Sequence, residues 1–164
     1  MKIRLAERGD LERIREIYAG ARAFMAASGN PTQWGAHYPP EDLIEYEIAQ
    51  RRLYVLTDAA RVCGVFAFYP GPDPDYAQLE EGAWRSDAPY GVIHRVAGDG
   101  TVHGVVDAVV RFCWDRIPHL RIDTHHDNKV MQHVIAKNGF SRRGIIYLVN
   151  GDGSARIAYE KLGE

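Results

Sequence analysis

A glycine-rich loop between an apolar strand and a helix constrains this chain more than any other feature. The apolar run at residues 92–97 leads into a loop that holds Gly98, Gly100 and Gly104, and an amphipathic segment follows. Such a loop directs free backbone N–H groups and a helix N-terminus at one point, which suits a phosphate or pyrophosphate. We therefore expect a nucleotide-like ligand at this loop.

The bulk properties predict one ordinary globular domain over residues 1–164. The chain is 46% hydrophobic and 26% charged, and its net charge of −2 gives no general attraction to nucleic acid or to anionic membranes. No apolar run approaches the roughly 20 residues that cross a bilayer. Because the first ten residues contain no signal-peptide core, we predict a cytoplasmic protein in which Cys63 and Cys113 are buried free thiols.

The hydrophobic periodicity predicts the element order β-α-α-β-β-β-α-β-α-β-β. Strands are expected at residues 3–6, 53–57, 62–69, 92–97, 120–124, 140–149 and 155–162. Helices are expected from Leu11 to near Ser28 and at residues 41–50, 104–116 and 128–138, with a last hairpin turn at residues 150–153. Hairpins thus lie on both sides of a β-α-β-α middle. This order predicts an α/β fold with one mixed central sheet and helices on both faces.

A dinucleotide is the first candidate ligand for the glycine loop. The dinucleotide fingerprint is G-x-G-x-x-G followed by an acid about 20 residues later. Here the spacing from Gly98 to Gly104 is one residue too long, although Asp123 lies where the ribose-binding acid would be. Too few residues follow Asp123 for a doubly wound sheet, and Asp99 places a carboxylate in the loop. A nucleotide-dependent oxidoreductase therefore remains an alternative, whereas an ATP-type loop lacks its Gly-Lys-Ser/Thr.

A second set of motifs resembles a known family. The tract Thr101-Val102-His103-Gly104-Val105-Val106 corresponds to that family's pattern Arg/Gln-x-x-Gly-x-Gly/Ala at a helix start, with a threonine at the first position and a valine at the last. Asn128 and the later Asn-Gly-Phe at residues 138–140 match a second pattern. On these residues and the element order, the chain resembles bacterial members of the GCN5-related N-acetyltransferases. The resemblance implies their acyl-CoA N-acyltransferase fold and direct transfer of an acetyl group from acetyl-CoA to an amine.

The resemblance also implies how acetyl-CoA lies on the chain. The pantetheine arm would pair with the central strand, the pyrophosphate would rest on the loop N–H groups, and an asparagine would contact the arm near its reactive end. The implied cofactor-binding residues are Val96, Ala97, Thr101, Val102, His103, Gly104, Val105, Val106 and Asn128. Thr101 and Val106 depart from the family pattern, so a non-catalytic CoA-binding sensor is a second alternative.

Acetyl transfer requires a neutral amine, so we searched for a base and an acid. Strand alternation places Val92, His94 and Val96 on one face, where His94 is the one titratable group and suits the role of base. A structural histidine is the alternative. The family often has a tyrosine that acts as general acid, and this chain has Ile135 at that position. Tyr147 is then a candidate for the acid, or else an aromatic residue of the packing.

The remaining expectations concern the acceptor, metals and assembly. Trp34 and Tyr38 lie in the loop that borders the acceptor pocket in this family, and they either bind the acceptor or anchor the loop. We expect a small-molecule or peptide amine as the acceptor. The resemblance also implies a homodimer, because dimers are common in the family. We expect no metal, because the histidines and the acid at residues 125–127 and 133 lack the i, i+4 spacing of a helical metal motif.

Overall fold

The computed structural model describes residues 1–149 and 151–163. Within them the chain forms seven strands and four α-helices in the predicted order. Their bounds are β1 Lys2–Leu5, α1 Leu11–Ala27, α2 Glu41–Ala49, β2 Leu53–Asp58, β3 Arg61–Pro70, β4 Gly91–Gly98, α3 Val105–Trp114, β5 His119–Thr124, α4 Lys129–Lys137, β6 Ser141–Tyr147 and β7 Ala155–Leu162. The predicted turn between β6 and β7 includes Asn150, which lies outside the described residues.

All seven strands belong to one sheet in the order β1-β2-β3-β4-β5-β7-β6. Neighbouring strands run antiparallel except β4 and β5, which run parallel. This arrangement confirms the predicted mixed sheet. A doubly wound dinucleotide fold needs a series of parallel strands, and the described sheet has one parallel pair.

The parallel pair separates soon after it forms. β4 and β5 are paired only at Gly91 with Leu120 and at Val92 with Arg121. Beyond these two positions the described strands make no further pairs with each other, so a gap opens in the middle of the sheet. The backbone edge of β4 that faces the gap is left available to a ligand.

Helices cover both faces of the sheet, as predicted. On one face α3 and α4 pack onto the sheet around Ile93, Ile122, Val109 and Ile135. On the other face α1 and α2 bury a second cluster. Cys63 and Cys113 are buried free thiols, also as predicted. Burial raises the pKa of both thiols, which disfavours the thiolate that a nucleophilic cysteine needs.

A bulge in β4 changes which side chains face the site. Val65 pairs with Ala97 while Ala67 pairs with His94, so β4 holds one extra residue between these pairs. Val92 and His94 remain on one face, whereas Val96 joins the core on the opposite face. The expectation that all three share a face is wrong for Val96, because one inserted residue reverses the alternation.

The extra residue of the bulge has a left-handed backbone. Arg95 has a φ of 53°, which is costly for a residue with a side chain. The hydroxyl of Tyr18 donates to the carbonyl of Arg95 at 3.0 Å, and the guanidinium forms a bidentate pair with Glu47 at 2.6 and 3.0 Å. These contacts from α1 and α2 hold the bulge in place.

None of the helices in the described part of the chain has the length and apolarity needed to cross a membrane.

Candidate functional site

A cleft of about 810 Å³ follows the gap between β4 and β5. Its walls are the loop between α1 and α2, the start of α4, the loop after β3, and the hairpin of β6 and β7. Five of the sequence-predicted site residues meet there: Trp34, Tyr38, His94, Val96 and Asn128. Ala97, Tyr147 and the residues of the glycine loop are not among the described residues that line it.

His94 lies between two carboxylates in this cleft. Its Nε2 is 3.1 Å from Asp73 Oδ2, and its Nδ1 is 3.7 Å from Asp123 Oδ2. Asp123 comes from β5, across the gap, and Asp73 comes from the loop after β3. Because a carboxylate oxygen faces each ring nitrogen, the imidazole ring is held in one orientation in the cleft. His94 is therefore a titratable side chain placed at the gap between β4 and β5.

Two tyrosines, the buried Tyr76 and the half-buried Tyr69, orient the carboxylates. Tyr76 donates its hydroxyl to Asp123 at 2.7 Å, and Tyr69 donates to Asp73 at 3.1 Å. Burial raises the pKa of both tyrosines, with the neighbouring carboxylates adding to the effect, so both remain neutral donors. Burial also acts to raise the pKa of Asp73, but the hydrogen bond and charge of His94 outweigh it and lower that pKa. Asp73 is therefore ionised at neutral pH.

The sequence indicated part of this cluster. Asp123 drew attention only as a ribose-binding acid, although it stands at the carboxyl end of a parallel strand, where ligands bind in α/β sheets. Asp73 lies in a proline-rich loop, and no local pattern indicates that the loop brings it to His94. The ion pair of Arg95 with Glu47 was missed as well, because it depends on the bulge in β4.

Gln33 fastens the loop between α1 and α2 across the gap. Its Oε1 accepts hydrogen bonds from Asn128 at 3.0 Å and from Asn30 at 2.8 Å. Its carbonyl accepts a bond from Arg156 of β7 at 3.1 Å. Asn128 also caps α4, since its Oδ1 accepts from the backbone N–H of Met131 at 3.0 Å. The loop therefore closes one side of the cleft, and Asn128 lies where it both caps α4 and faces the gap.

The two predicted acceptor residues both line and brace the cleft. Trp34 packs edge-on against Tyr18 with ring centroids 5.5 Å apart. The hydroxyl of Tyr38 accepts a hydrogen bond from Arg95 at 3.2 Å. The two alternatives from the sequence, acceptor lining and loop anchoring, are thus compatible with one another.

The glycine loop ends in the N-terminus of α3. Gly104 has a φ of 77° and is the N-cap of α3, whose first N–H groups have no intrahelical acceptor. Val102, Val105 and Val106 are half-buried and pack against the core beneath α3. These side chains point toward the core and so leave the space above the first turn open. The free backbone N–H groups of that turn can therefore bind an anion.

Asp99, the carboxylate inside the glycine loop, is bound by neighbouring groups. It accepts bonds from the N–H and hydroxyl of Thr101, and it forms ion pairs with Arg13 and Arg61. Burial opposes its ionisation, yet the Thr101 bonds and the two arginines lower the pKa of Asp99. Arg61 also donates to Thr101 at 2.7 Å. Two cations thus balance one carboxylate beside a loop whose own motif lacks the family's basic residue.

Tyr147, the candidate general acid, does not line the cleft, and neither does Ile135, which stands where the family often has a tyrosine. Tyr147 ends β6 and is 44% exposed, and Ile135 is fully buried in the core under α4. The structure does not bring Tyr147 to His94, and its catalytic role remains an unsupported prediction.

His125, His126 and Asp127 hold possible metal-ligating atoms within 4.8 Å of one another. The Nδ1 of His125 already accepts the N–H of Asp127 at 3.0 Å, and burial lowers the pKa of this histidine. The expected absence of a metal stays a prediction.

Comparisons with known proteins agree on the fold. No family model and no curated protein matches the sequence. A GNAT-family acetyltransferase of Streptococcus agalactiae superimposes with a TM-score of 0.88 and 28% identity, over 99% of this chain and 95% of that one. A GNAT-family acetyltransferase of Bacillus cereus matches with a TM-score of 0.62 and 19% identity, over 99% of this chain and 98% of that one.

A further match is the yncA protein of Salmonella typhimurium, solved with its cofactor acetyl-CoA. Its TM-score is 0.58 and its identity 19%, over 99% of this chain and 94% of that one. The two matches at 19% identity support the fold, and the streptococcal match adds sequence likeness along nearly the whole chain. Together with the parted parallel strands and the glycine loop, these likenesses show that the chain has the fold of the GCN5-related N-acetyltransferases (GNAT), and they support its membership of that family.

Proposed function

We propose that the protein transfers an acetyl group from acetyl-CoA to an amine, and that His94 is the base. The observation that carries the proposal is a histidine held between two carboxylates at the parting of β4 and β5. The named acetyltransferases of the same fold support the reaction class, and the acetyl-CoA of the Salmonella protein supports the co-substrate.

The residues of the gap fit acetyl-CoA. The free edge of β4, including the backbone at Val96 and Ala97, suits the amide groups of an extended pantetheine arm. The buried Oγ1 of Thr124 lines the cleft without a hydrogen-bond partner among the described residues, and a ligand in the gap would satisfy it. The pyrophosphate would lie at the N-terminus of α3, with Arg61 nearby. Asn128 would contact the arm near its reactive end.

The charges around His94 suit an incoming amine. When bound, acetyl-CoA supplies a thioester whose carbonyl carbon accepts attack by an amine. Asp73 and Asp123 attract the ammonium form, and His94 takes its proton so that the nitrogen has a free electron pair. The C–N bond forms as the C–S bond breaks, and the CoA thiolate takes a proton from solvent. Asp73 and Asp123 then stabilise the imidazolium that His94 has become.

Thermal stability with three ligands tests this proposal. Acetyl-CoA and CoA are expected to raise the melting temperature, and NADH is expected to leave it unchanged, because a ligand that binds only the native state stabilises it. Release of free CoA thiol with a panel of amines then distinguishes an enzyme from a CoA-binding sensor. Stabilisation by NADH alone would reject the acetyltransferase.

We also propose one catalytic domain over residues 1–164, a cytoplasmic location, and a homodimer. These follow from the sequence and the family resemblance. Light scattering on the purified protein tests the dimer, and fractionation of the source cells tests the location.

A further inference from the structure

Arg156 is a buried cation in the cleft wall, and none of the described carboxylates forms an ion pair with it. Only 6% of the residue is exposed. Its guanidinium donates to Ser154 Oγ at 2.8 Å, to the carbonyl of Ala155 at 2.9 Å and to the carbonyl of Gln33 at 3.1 Å, all neutral acceptors. Among the described residues, no carboxylate forms an ion pair with Arg156 within 4.0 Å. The nearby Asp152 is exposed, and its pKa is lowered by hydrogen bonds from Ser154 and, to a smaller degree, by the charge of Arg156. Burying an unpaired charge is unfavourable, so the arrangement points to an anion that arrives with a ligand.

The strand register places this cation beside the proposed reaction centre. β5 and β7 pair Asp123 with Ala158, and Arg156 lies two residues from Ala158 on the same face of β7. Such diagonal neighbours on paired strands are separated by about 7–8 Å. Asp123 in turn lies 3.7 Å from His94. His94 and Arg156 therefore line the same cleft, where an acceptor that spans the distance between them would contact both.

The cleft thus offers two charges to an acceptor. Asp73 and Asp123 attract an ammonium group, and Arg156 attracts an anion a short distance away. On the basis of the proposed acetyl transfer, we propose that the acceptor is an α-amino acid and that Arg156 binds its carboxylate. The guanidinium fork matches the geometry of a carboxylate. The reaction forms the C–N bond at the α-nitrogen and breaks the C–S bond of acetyl-CoA, while the acceptor's carboxylate stays unchanged.

This charge pattern disfavours other amines. A polyamine would bring a second positive charge toward Arg156, and a peptide N-terminus has no carboxylate next to its amine. Part of the remaining wall is apolar and consists of Trp34, Leu43 and Tyr46. This part offers contact to an apolar or aromatic side chain of the acceptor.

Two further arginines line the cleft. Arg95 is neutralised by its bidentate pair with Glu47. Arg52 is half-buried and lies over the ring of Tyr69 at 4.7 Å, with no carboxylate partner among the described residues. Because solvent and the ring stabilise Arg52, its charge does not require a ligand anion. Arg52 lies on the β3 side of His94, whereas Arg156 lies on the β7 side. Replacing each arginine in turn therefore shows which of the two binds an acceptor carboxylate.

Matched acceptors test the proposal with the native protein. Phenylalanine, methionine and leucine are each compared with the amine formed by removing the carboxylate, and kcat/KM is measured from thiol release. In the best pair the amino acid is expected to exceed its amine by roughly 10- to 100-fold, as for a hydrogen bond between charged groups. Amines that react as well as their amino acids would overturn it. If acetyl-CoA neither binds nor releases thiol with any acceptor, the proposed function itself fails, and this inference fails with it.

Three variants then locate the carboxylate. Arg156→Gln is expected to remove most of the preference, because KM rises far more for the amino acid than for the matched amine. Arg156→Lys is expected to restore part of the preference, and Arg52→Gln to retain all of it. An equal loss for both acceptors in Arg156→Gln would show that the residue only braces Gln33. Loss of the preference in Arg52→Gln would place the carboxylate at Arg52. Either result overturns the assignment.

Discussion

His94 has a carboxylate near each ring nitrogen, so replacing it should affect proton transfer more than the binding of acetyl-CoA. His94→Gln keeps a hydrogen-bonding side chain but cannot exchange protons near neutral pH. We expect kcat to fall by about 10²- to 10⁴-fold, the usual contribution of general acid–base catalysis, while the affinity for acetyl-CoA stays within about twofold.

The pH profile separates this role from a structural one. In the native protein kcat/KM should fall toward acidic pH as the base becomes protonated, because a protonated imidazole cannot take the proton of the bound ammonium group. In His94→Gln this ionisation should disappear from the profile. An unchanged profile would remove His94 as the base.

Asp73 gives a prediction about stability. Its pKa is lowered in the folded protein, so it stabilises the fold above the pKa of an unfolded aspartate, and this contribution is lost as the pH falls through the folded pKa. Asp73→Asn should therefore lower the free energy of unfolding at pH 7 by about 1–3 kcal/mol, the range for a hydrogen bond to a charged group.

The cost of Asp73→Asn should shrink below about pH 4, near the ordinary pKa of aspartate. Urea unfolding at pH 7 and pH 3.5 measures the difference. A cost that stays constant over this interval would contradict the account.

The glycine loop and helix α3 carry a prediction about the cofactor. Arg61 lies beside the loop and supplies a positive charge that the motif itself lacks. Arg61→Gln should weaken acetyl-CoA binding by roughly three- to tenfold at low salt and by less as salt rises, because half-exposed charges are screened. Arg142→Gln on the edge strand β6 is the matched control, and equal effects of the two changes would contradict this role.

The order of strands and helices could be predicted from the sequence because periodicity and capping are local. The bulge in β4 could not, because it depends on which residues of β3 lie opposite Arg95. For the same reason the predicted face of the sheet was wrong for Val96 and correct for His94. Asp73 and Arg156 reach the site through a loop and through the register of β7, which a single sequence does not reveal.

The cleft as a unit depends on the loop between α1 and α2. Gln33 connects this loop to α4 and, through its carbonyl, to β7. Gln33→Met keeps the length of the side chain but removes its amide oxygen. We expect KM for the acceptor to rise about three- to thirtyfold with little change in kcat, since each neutral hydrogen bond contributes about 1 kcal/mol. An unchanged KM would show that the loop does not shape the acceptor site.

The central claim is that this cleft transfers acetyl groups to an amine. Mass spectrometry of the native protein with acetyl-CoA and the amino acid and amine panel tests it most directly. The account predicts an acceptor that gains one acetyl group and an equal amount of free CoA, with both strongly reduced in His94→Gln. If acetyl-CoA remains intact with every acceptor, or if His94→Gln forms product as fast as the native protein, the account is contradicted.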